Sequence, residues 1–579
     1  MKKHYETHVE DTDKLISVAG PVLDYKSWYE QYRKLMEEQA QRKYGLYTPT
    51  SEGDDDFPSI SGMIARYSAL GLTNEQMAAN PVWVDKTGNG HDLQMKNFAW
   101  KEGSGISDVY LGALVFDGVD DYGTCNNFPI LTKEKGYTVV ALRQWITRGE
   151  EALGLVSNVK NWLNNGAFLL EFRNIQADHL NKPISFGAIG SENDLPHILT
   201  YQTSKSYNGV SITTGNFEGT DVLHVGKLAP TNVGTCINAA IWELVFLDHD
   251  ATEEELTKIK DYFVKTYPWL FPDQAWTVVG KTNEDEDRAT IANITGNGND
   301  LVLSNFGFAE GSGYGLYAYN FNSFELRDNV VKPTDVKKDS FRIIGIGNNG
   351  NVLVLSNTSN SAAWKIRITG MKEGDSCIVG NANKSDDYIK IIKDGIYTFQ
   401  KQYAATSVNG IWYNSSQEVD VLVEQIPEYE EYLVTDGVDD KVQSSSFTMN
   451  EDWTIVGDWE LLSNVQINCG IVKAQNVYLY NIANGLPISI NNPRSLQSFG
   501  TKSLHAICSD GRLYDRNWVE YEYTIDQNFE IVKSSLNIGF NLNNYAQIAF
   551  KNLGIYDNQI LSKDDCIKAY NYLQTLKSK

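Results

Sequence analysis

The sequence is poor in the residues that build metal centres and disulfide frameworks. Among its 579 residues are six cysteines and eight histidines. No two cysteines stand at a short spacing, which excludes a zinc ribbon, a redox CxxC motif and a disulfide scaffold. We therefore expect mostly free thiols, as in a protein made in a reducing cytoplasm. The cysteines are Cys125, Cys236, Cys377, Cys469, Cys508 and Cys566.

Long hydrophobic runs are also missing. No uninterrupted apolar run approaches the roughly 18 residues that a transmembrane helix needs. The first residues, MKKHYETHVE, have no apolar core after the lysines, so the sequence predicts no secretory signal peptide. We expect a protein that is not inserted in a membrane and that reaches any extracellular place by another route, such as cell lysis.

Positive charge is scarce. The chain has 50 Lys and Arg residues against 74 Asp and Glu residues, which gives a formal net charge of −24. Nucleic acids and anionic membrane surfaces select basic patches, so we predict that neither is a partner. Solubility is sufficient to explain the acidity.

Motifs for catalysis are lacking as well. There is no HExxH zinc motif and no GxSxG nucleophile elbow. Glycoside hydrolysis needs two carboxylates that flank the sugar bond, and no strand here carries an alternating ExDxE pattern. The sequence therefore predicts a protein that is not an enzyme and that has no cofactor, apart from a structural calcium ion considered below.

Aromatic residues, in contrast, are abundant, with 32 Tyr, 22 Phe and 13 Trp. Short apolar segments alternate with turns rich in Gly, Asn and Asp. This pattern is typical of antiparallel β-sandwiches, because aromatic and β-branched side chains pack well on pleated surfaces. We predict an all-β fold.

One block of sequence occurs twice. The tetrad TGNG begins at Thr87 and Thr295, a spacing of 208 (295 − 87), and the element DGVDD begins at Asp117 and Asp436, a spacing of 319 (436 − 117). The second copy therefore holds 111 extra residues (319 − 208), whose pattern predicts an inserted Ig-like or jelly-roll β domain. The predicted domains are a first sandwich at 58–272, a second at 273–320 and 432–579, and the insertion at 321–431.

Residues 1–57 differ from the rest and are predicted to form an N-terminal helix followed by an acidic linker. Six apolar residues recur at helical spacing, opposite charged ones. The helix either packs on the first sandwich or anchors the chain to another protein or to sister chains. The residues of this attachment helix are Tyr25, Trp28, Tyr29, Tyr32, Leu35 and Met36.

The repeated elements have two interpretations each. A glycine-rich loop can bind phosphate before a helix, but strand-like segments follow TGNG, which favours a tight turn with positive φ. The DGVDD element is either a turn whose Asp side chains bond to the backbone or a set of ligands for Ca²⁺. The carboxylates concerned are Asp117, Asp120, Asp121, Asp436, Asp439 and Asp440.

The segments NPVWVDKTGNGHDL, ALVFDGVDDYG and LVFLDHDATEEEL resemble concanavalin A-like lectin/glucanase domains of the laminin-G-like subgroup. The second copy matches through TGNGNDL, LVTDGVDDKV and LGIYDNQILSKDD. The resemblance covers about 64–320 and 432–579. It implies two sandwiches of this type and leaves the ligand open, since the architecture hosts many functions.

The Asn-rich composition, the inserted domain and the missing signal peptide resemble structural proteins of tailed phages of gut bacteria, including crAss-like phages. This resemblance implies a head or tail fibre or a related appendage of the virion, synthesised in the host cytoplasm. It also implies capsid or tail proteins as partners of the N-terminal region and assembly as a homotrimer or homodimer.

Aromatic side chains either fill sandwich cores or, where exposed, stack on the apolar face of a sugar. Combined with the resemblance, they lead to the hypothesis of a non-enzymatic virion protein that adheres to host-surface glycans. The alternatives are an accessory module of a carbohydrate-active enzyme and a bacterial surface adhesin. The candidate sugar-binding residues are Trp100, Trp162, Tyr201, Tyr207 and Trp518.

Overall fold

The computed structural model describes residues 56–578 with internal gaps. The predicted attachment helix lies outside the described residues. The gaps are 133, 148–152, 160–168, 173–186, 189–198, 212–218, 228–235, 309–310, 316–331, 338, 356–363, 382–387, 400–408, 427–428, 464–468, 475–476, 482–486, 491–496, 499–503, 523–533, 539 and 542–543.

The protein is all-β, as the sequence predicts, with strands that run through the whole described chain. The strands are β1 Met63–Ser68, β2 Val82–Trp83, β3 Leu93–Lys96, β4 Gly105–Ser107, β5 Ala113–Asp117, β6 Tyr122–Asn126, β7 Thr138–Thr147, β8 Leu153–Val159, β9 Leu169–Phe172, β10 Gly187–Ala188, β11 Leu199–Thr203, β12 Ser206–Tyr207, β13 Val210–Ser211, β14 Gly219–Val225, β15 Asn238–Leu247, β16 Gln274–Thr277, β17 Thr290–Ile291, β18 Leu301–Ser304, β19 Gly313–Tyr314, β20 Lys332–Thr334, β21 Ser340–Leu355, β22 Trp364–Thr369, β23 Ser376–Asn381, β24 Tyr388–Ile391, β25 Gly395–Phe399, β26 Asn409–Ile426, β27 Leu433–Val434, β28 Lys441–Phe447, β29 Trp453–Ser463, β30 Cys469–Ala474, β31 Val477–Asn481, β32 Pro487–Ile490, β33 Gln497–Ser498, β34 Leu504–Cys508, β35 Arg512–Asp515, β36 Glu520–Glu522, β37 Ser534–Ile538, β38 Phe540–Asn541, β39 Asn544–Tyr545 and β40 Gln547–Asp557.

Three α-helices and one short 3-10 helix lie in the described part of the chain. None of them combines the length and hydrophobicity needed to cross a bilayer. They are α1 Asn74–Ala79, α2 Glu253–Thr266, the 3-10 helix Pro268–Leu270 and α3 Lys563–Thr575.

The first fifteen strands form two facing sheets. One has the order β13-β12-β11-β7-β15-β5-β4 with β1 added beside β15, and the other has the order β10-β9-β8-β14-β6-β3-β2. Leu93 and Met95 of β3 are buried while the residues between and after them are exposed, which is the alternation expected of a strand with one face on a core. The core between these sheets includes Trp83, Phe116 and Phe246.

A second pair of sheets repeats this arrangement. Their orders are β19-β27-β40-β29-β34-β35-β36, with β16 beside β40, and β17-β18-β28-β37-β30-β31-β32-β33. Strands β38 and β39 pair only with each other in the described part of the chain. The equivalence is close at the edge strands, since Arg66 pairs with Val245 and its counterpart Ala275 pairs with Gly554.

The inserted residues form one strongly bent sheet. The long strands β21 and β26 pair along most of their length, and β26 then pairs with β22 near one end and with β23 near the other. Residues from both ends of this sheet share one apolar core, which contains Phe341, Val421 and Tyr413. Where the surrounding strands β19 and β27 meet, the Gly315 N–H donates to Tyr432 O at 2.8 Å, so the ends of the insertion are adjacent.

Each sandwich ends with a strand and a helix whose start is capped. Thr252 accepts from the Glu255 N–H and the Glu255 side chain accepts from the Thr252 N–H, so the two residues form a capping box. Ser562 accepts from the Asp565 N–H in the same place of the second copy. Helix α1 was not foreseen, although Thr73 and Gln76 form a complete capping box there too.

The helices α2 and α3 cover the outer faces of the two large sheets and join them. Trp269 of the 3-10 helix is buried between them, and its carbonyl accepts from the Tyr556 hydroxyl at 2.9 Å. Gln144 Nε2 of the first sandwich donates to Thr575 Oγ1 of the second at 3.0 Å. One continuous apolar cluster therefore links the two sandwiches.

Candidate ligand-binding site

The TGNG tetrads are tight turns in both copies. The φ angles are 77° at Gly88, 82° at Gly90, 75° at Gly296 and 72° at Gly298, values that glycine adopts without the steric cost of a Cβ. Strands β3 and β18 follow the turns, and no helix begins there. The geometry lacks the helix N-terminus that a phosphate loop requires.

A single side chain organises each of these turns. Asp85 Oδ1 accepts from the Arg66 and Thr87 N–H groups at 3.1 and 3.0 Å. Asn293 Oδ1 takes the same place in the second copy and accepts from the Ala275 and Thr295 N–H groups at 3.1 and 3.2 Å. A carboxylate and an amide thus make the same two bonds through Oδ1. The second atom differs, since Asp85 Oδ2 accepts from the His91 N–H at 3.3 Å whereas Asn293 Nδ2 donates to the Gly298 carbonyl.

The DGVDD elements are turns in which the aspartates bond to their own backbone. Asp117 Oδ1 accepts from the Val119 N–H at 2.7 Å, and Asp121 Oδ2 accepts from the Asp117 N–H at 3.0 Å. Asp436 and Asp440 make the equivalent bonds in the second copy, both at 2.7 Å. These bonds occupy several of the carboxylate lone pairs.

Each triad nevertheless brings three carboxylates together, with one oxygen of each within 4.8 Å of the others. Burial raises the pKa of Asp121 to about 6 and that of Asp440 to about 7, so part of the negative charge is lost near neutral pH. Calcium prefers six to eight oxygen ligands, more than one triad offers. Hydrogen bonds to the backbone are enough to explain the geometry of these turns. Calcium binding there stays a prediction.

Two of the candidate tryptophans pack against the interior of the protein. The Trp100 ring stacks on Phe98 with centroids 4.8 Å apart, and it is half-buried over the first core. The centroid of the Trp518 ring lies 5.5 Å from that of His505 and 5.7 Å from that of Tyr570, in a cluster that holds α3 against its sheet. Both side chains thus have packing roles, and sugar binding by either remains a prediction.

Tyr201, in contrast, lines a cleft of about 560 Å³ at the junction of the two sandwiches. It is half-buried on β11 and packs against the cluster that joins the sandwiches. The Asn208 Oδ1 atom accepts from the Tyr201 N–H at 2.9 Å and so fixes the hairpin that carries the ring. The cleft is lined by Leu199, Tyr201, Asn208, Lys260, Val264, Leu270, Phe271, Pro272, Asp273, Ala275, Ile294, Thr295, Asn297, Gln559 and Tyr572.

Three parts of the chain hold the polar groups of this cleft in place. Asn297, from the second TGNG turn, donates from Nδ2 to the Asp273 carbonyl at 2.8 Å. The Asp273 carboxylate accepts from the Asp557 N–H at 2.7 Å. Lys260 stands on the exposed side of α2. The walls are therefore rigid elements of both sandwiches and of the segment that connects them.

The charges around the cleft are nearly balanced. Lys260 and Asp273 are the charged side chains among its lining residues. Burial raises the pKa of Asp273, while its bond to the Asp557 N–H and the charge of Lys260 act in the opposite direction. In a protein of net charge −24, this surface offers one cation, one carboxylate, amides and aromatic rings.

The remaining candidate residues have side chains that the structure does not describe. Trp162 and the attachment helix (Tyr25, Trp28, Tyr29, Tyr32, Leu35 and Met36) lie outside the described residues, and of Tyr207 only its strand position is described. Sequence reasoning missed Phe271, Asp273 and Gln559. No motif marks them, because they become neighbours only when the sandwiches dock.

No protein-family model and no curated protein matches the sequence. Among solved structures, a Trypanosoma rangeli sialidase in complex with 2,3-difluorosialic acid, a covalent intermediate, aligns at 12% identity over 36% of this chain and 34% of the enzyme, with a TM-score of 0.24. The same sialidase with sialic acid aligns at 11% identity over 41% and 39%, with the same TM-score. The NanB sialidase of Streptococcus pneumoniae aligns at 9% identity over 64% and 71%, with a TM-score of 0.17.

These alignments span little more than a third of the Trypanosoma enzyme, and at such scores they assign neither a family nor an activity to this chain. They do correct one expectation. The sequence predicts a protein that is not an enzyme, whereas these three solved structures are sialidases, which are enzymes. That prediction is withdrawn, since motifs written as short strings do not detect catalytic groups that different strands bring together.

Proposed function

We propose that the chain is a glycan-binding structural protein of a tailed-phage particle and that the cleft between its two sandwiches holds the sugar. The observation that carries the proposal is the cleft itself, whose lining includes the rings of Tyr201 and Phe271 and the amides of Asn208 and Asn297. Aromatic rings and amides together match a sugar ring, which has an apolar face and a rim of hydroxyls.

The size and electrostatics of the cleft support a neutral glycan. Its volume of about 560 Å³ lies within the range of about 300–1,000 Å³ that small-molecule sites occupy. With one cation facing one carboxylate, the cleft has no excess positive charge to attract an acidic sugar. The net charge of −24 opposes the approach of acidic glycans further.

A glycan panel with neutral and acidic members tests the site. We expect retention of neutral glycans, and about tenfold weaker binding for Tyr201→Ala, equivalent to about 1.4 kcal/mol. Tyr201→Phe keeps the ring and should bind almost normally. The matched control is Tyr122→Ala, because Tyr122 is also half-buried but lies on β6 of the opposite sheet.

Equal binding by Tyr201→Ala and the wild type would refute the site. Preferential retention of acidic glycans that Lys260→Met abolishes would refute the neutral class. The same incubations should be analysed for released sugar, because product formation would show an activity on the bound glycan.

The assignment to a particle rests on the resemblance to phage structural proteins. In this proposal the N-terminal residues attach the chain to a capsid or tail protein, the sandwiches and the inserted domain project outward, and the chains form a homotrimer or homodimer. Mass spectrometry of purified particles should detect the chain, and light scattering should show the oligomer. A monomeric protein that is absent from particles would contradict this part of the proposal.

A further inference from the structure

We propose that Cys508 and Cys566 are an oxidation-sensitive pair that closes into a disulfide and fastens the last helix to its sheet. Cys508 ends β34, and Cys566 lies in the first turns of α3. Their sulfur atoms are 4.0 Å apart and both side chains are fully buried. A disulfide needs about 2.05 Å between the sulfurs, so closure requires a combined approach of about 2 Å.

The repeat shows that the fold does not require these thiols. Strand and helix register place Thr203 and Leu256 of the first sandwich where Cys508 and Cys566 stand in the second. Thr203 and Leu256 allow the same strand and capped helix to form. Two facing cysteines therefore add a chemistry that the first sandwich lacks, at one of the places where helix and sheet meet.

The Arg512 guanidinium favours the thiolate form in this pair of thiols. The hydrogen bond from Cys566 and the nearby Arg512 guanidinium lower the pKa of Cys508, although its burial acts against them. The thiolate is the form that attacks an oxidant. Whichever thiol reacts first, the other sulfur lies 4.0 Å away and is placed to resolve the product.

Hydrogen peroxide supplies a balanced route. The thiolate of one cysteine, here Cys508, attacks one peroxide oxygen, the O–O bond breaks and a sulfenic acid forms. The hydroxide that leaves takes up the proton that this thiol released and becomes the first water. The Cys566 sulfur then displaces the sulfenic oxygen as a second water, with transfer of its proton, and the S–S bond forms. The two thiols are oxidised by two electrons and one peroxide is reduced to two waters.

The consequence is a covalent link that closes the chain between residues 508 and 566. Such a link constrains the unfolded chain, and it would hold α3 over the outer face of its sheet. The helix also contributes Tyr572 to the cleft and Thr575 to the contact with Gln144. Oxidation should therefore stabilise the second sandwich and its junction with the first.

The experiment compares purified full-length protein before and after mild peroxide treatment. The protein is then unfolded in the presence of an alkylating agent, and the labelled thiols are counted by intact mass. We expect six labels before oxidation and four after it, with a reducible cross-link between the peptides that contain Cys508 and Cys566. The oxidised protein should unfold about 5 °C higher, and reductant should reverse the change.

The variants introduce the residues that occupy the equivalent positions of the first sandwich. Cys508→Thr and Cys566→Leu should each abolish the loss of labels and the thermal shift. Cys377→Ser is the matched control, because Cys377 is a buried thiol of the inserted domain. It should still lose two labels. Three results with the wild-type protein would each overturn the proposal: six labels after oxidation, a cross-link between other cysteines, or a cross-link without a thermal shift. These measurements need no variant, so they do not depend on whether a variant folds.

Discussion

The buried ion pair between Arg66 and Glu243 offers the sharpest test of how the two sandwiches differ. Arg66 Nε donates to Glu243 Oε2 at 3.1 Å, and the two side chains are 4% and 0% exposed. Tyr267 donates to Glu243 Oε1 at 2.8 Å, and Arg66 donates to the Tyr262 hydroxyl at 2.9 Å. The pair lies beneath α2, where the second sandwich places Ala275 and Asn552.

We expect Arg66→Ala to destabilise the first sandwich by about 3–5 kcal/mol, because it leaves a carboxylate buried without its cation. The double variant Arg66→Ala with Glu243→Asn reproduces the second copy. It should recover most of that loss, since Asn552 there is fully buried and donates to the Leu573 carbonyl at 3.3 Å. The sum of the single effects should exceed the effect of the double variant by more than about 1 kcal/mol.

Urea unfolding monitored by hydrogen exchange of β1 and β15 measures these free energies for the first sandwich separately from the rest of the chain. The control is Lys258→Ala, which removes an exposed ion pair with Glu254 and should change little. A double variant as unstable as Arg66→Ala alone would refute the reasoning, as would a cost of Arg66→Ala below about 1 kcal/mol.

Two further changes have predictable results. Burial raises the pKa of Asp440 from 3.8 to about 7, so between these pH values the folded state holds a proton that the unfolded state has released. The stability that this proton contributes is complete below about pH 4 and is lost as the pH rises through about 7. Asp440→Asn should remove this pH dependence of the free energy of unfolding, which amounts to about 2 kcal/mol after allowance for solvent around the turn. Urea unfolding at several pH values measures it, and an unchanged pH dependence in the variant would contradict the role given to Asp440. In thermal unfolding, Thr252→Ala should destabilise α2 by about 1 kcal/mol, whereas Thr252→Ser keeps a capping hydroxyl and should be nearly as stable as the wild type. Equal stability of the two variants would contradict the capping role of Thr252.

Features that depend on a few neighbouring residues could be predicted from the sequence. The glycines of TGNG take positive φ because glycine adopts it without the steric cost of a Cβ, and Thr252 and Glu255 cap a helix through bonds within four residues. The all-β fold follows from strand-length apolar segments between turns. The same local signals were present at Thr73 and Gln76, so α1 was predictable in principle.

The cleft could not be predicted in this way. Tyr201 comes from a hairpin of the first sandwich, Phe271 from the connecting segment and Asn297 from a turn of the second. Their proximity depends on how the outer faces of two large sheets dock through α2, α3 and the 3-10 helix. Docking of this kind is set by the shape of many buried side chains together, and no periodicity in the sequence encodes it.

The repeat explains why identical turns can have unequal functions. Asn89 of the first TGNG turn donates to the Met63 and Ile64 carbonyls, and Asn297 of the second donates to the equivalent Asp273 carbonyl. The turns are therefore the same local solution to the same packing problem. Among the described residues that line the cleft with Tyr201, the second turn contributes Thr295 and Asn297 and the first turn contributes none. The proposed ligand site depends on this asymmetry of the junction, so substitutions in the second turn should weaken glycan binding, while the matching substitutions in the first should affect folding alone.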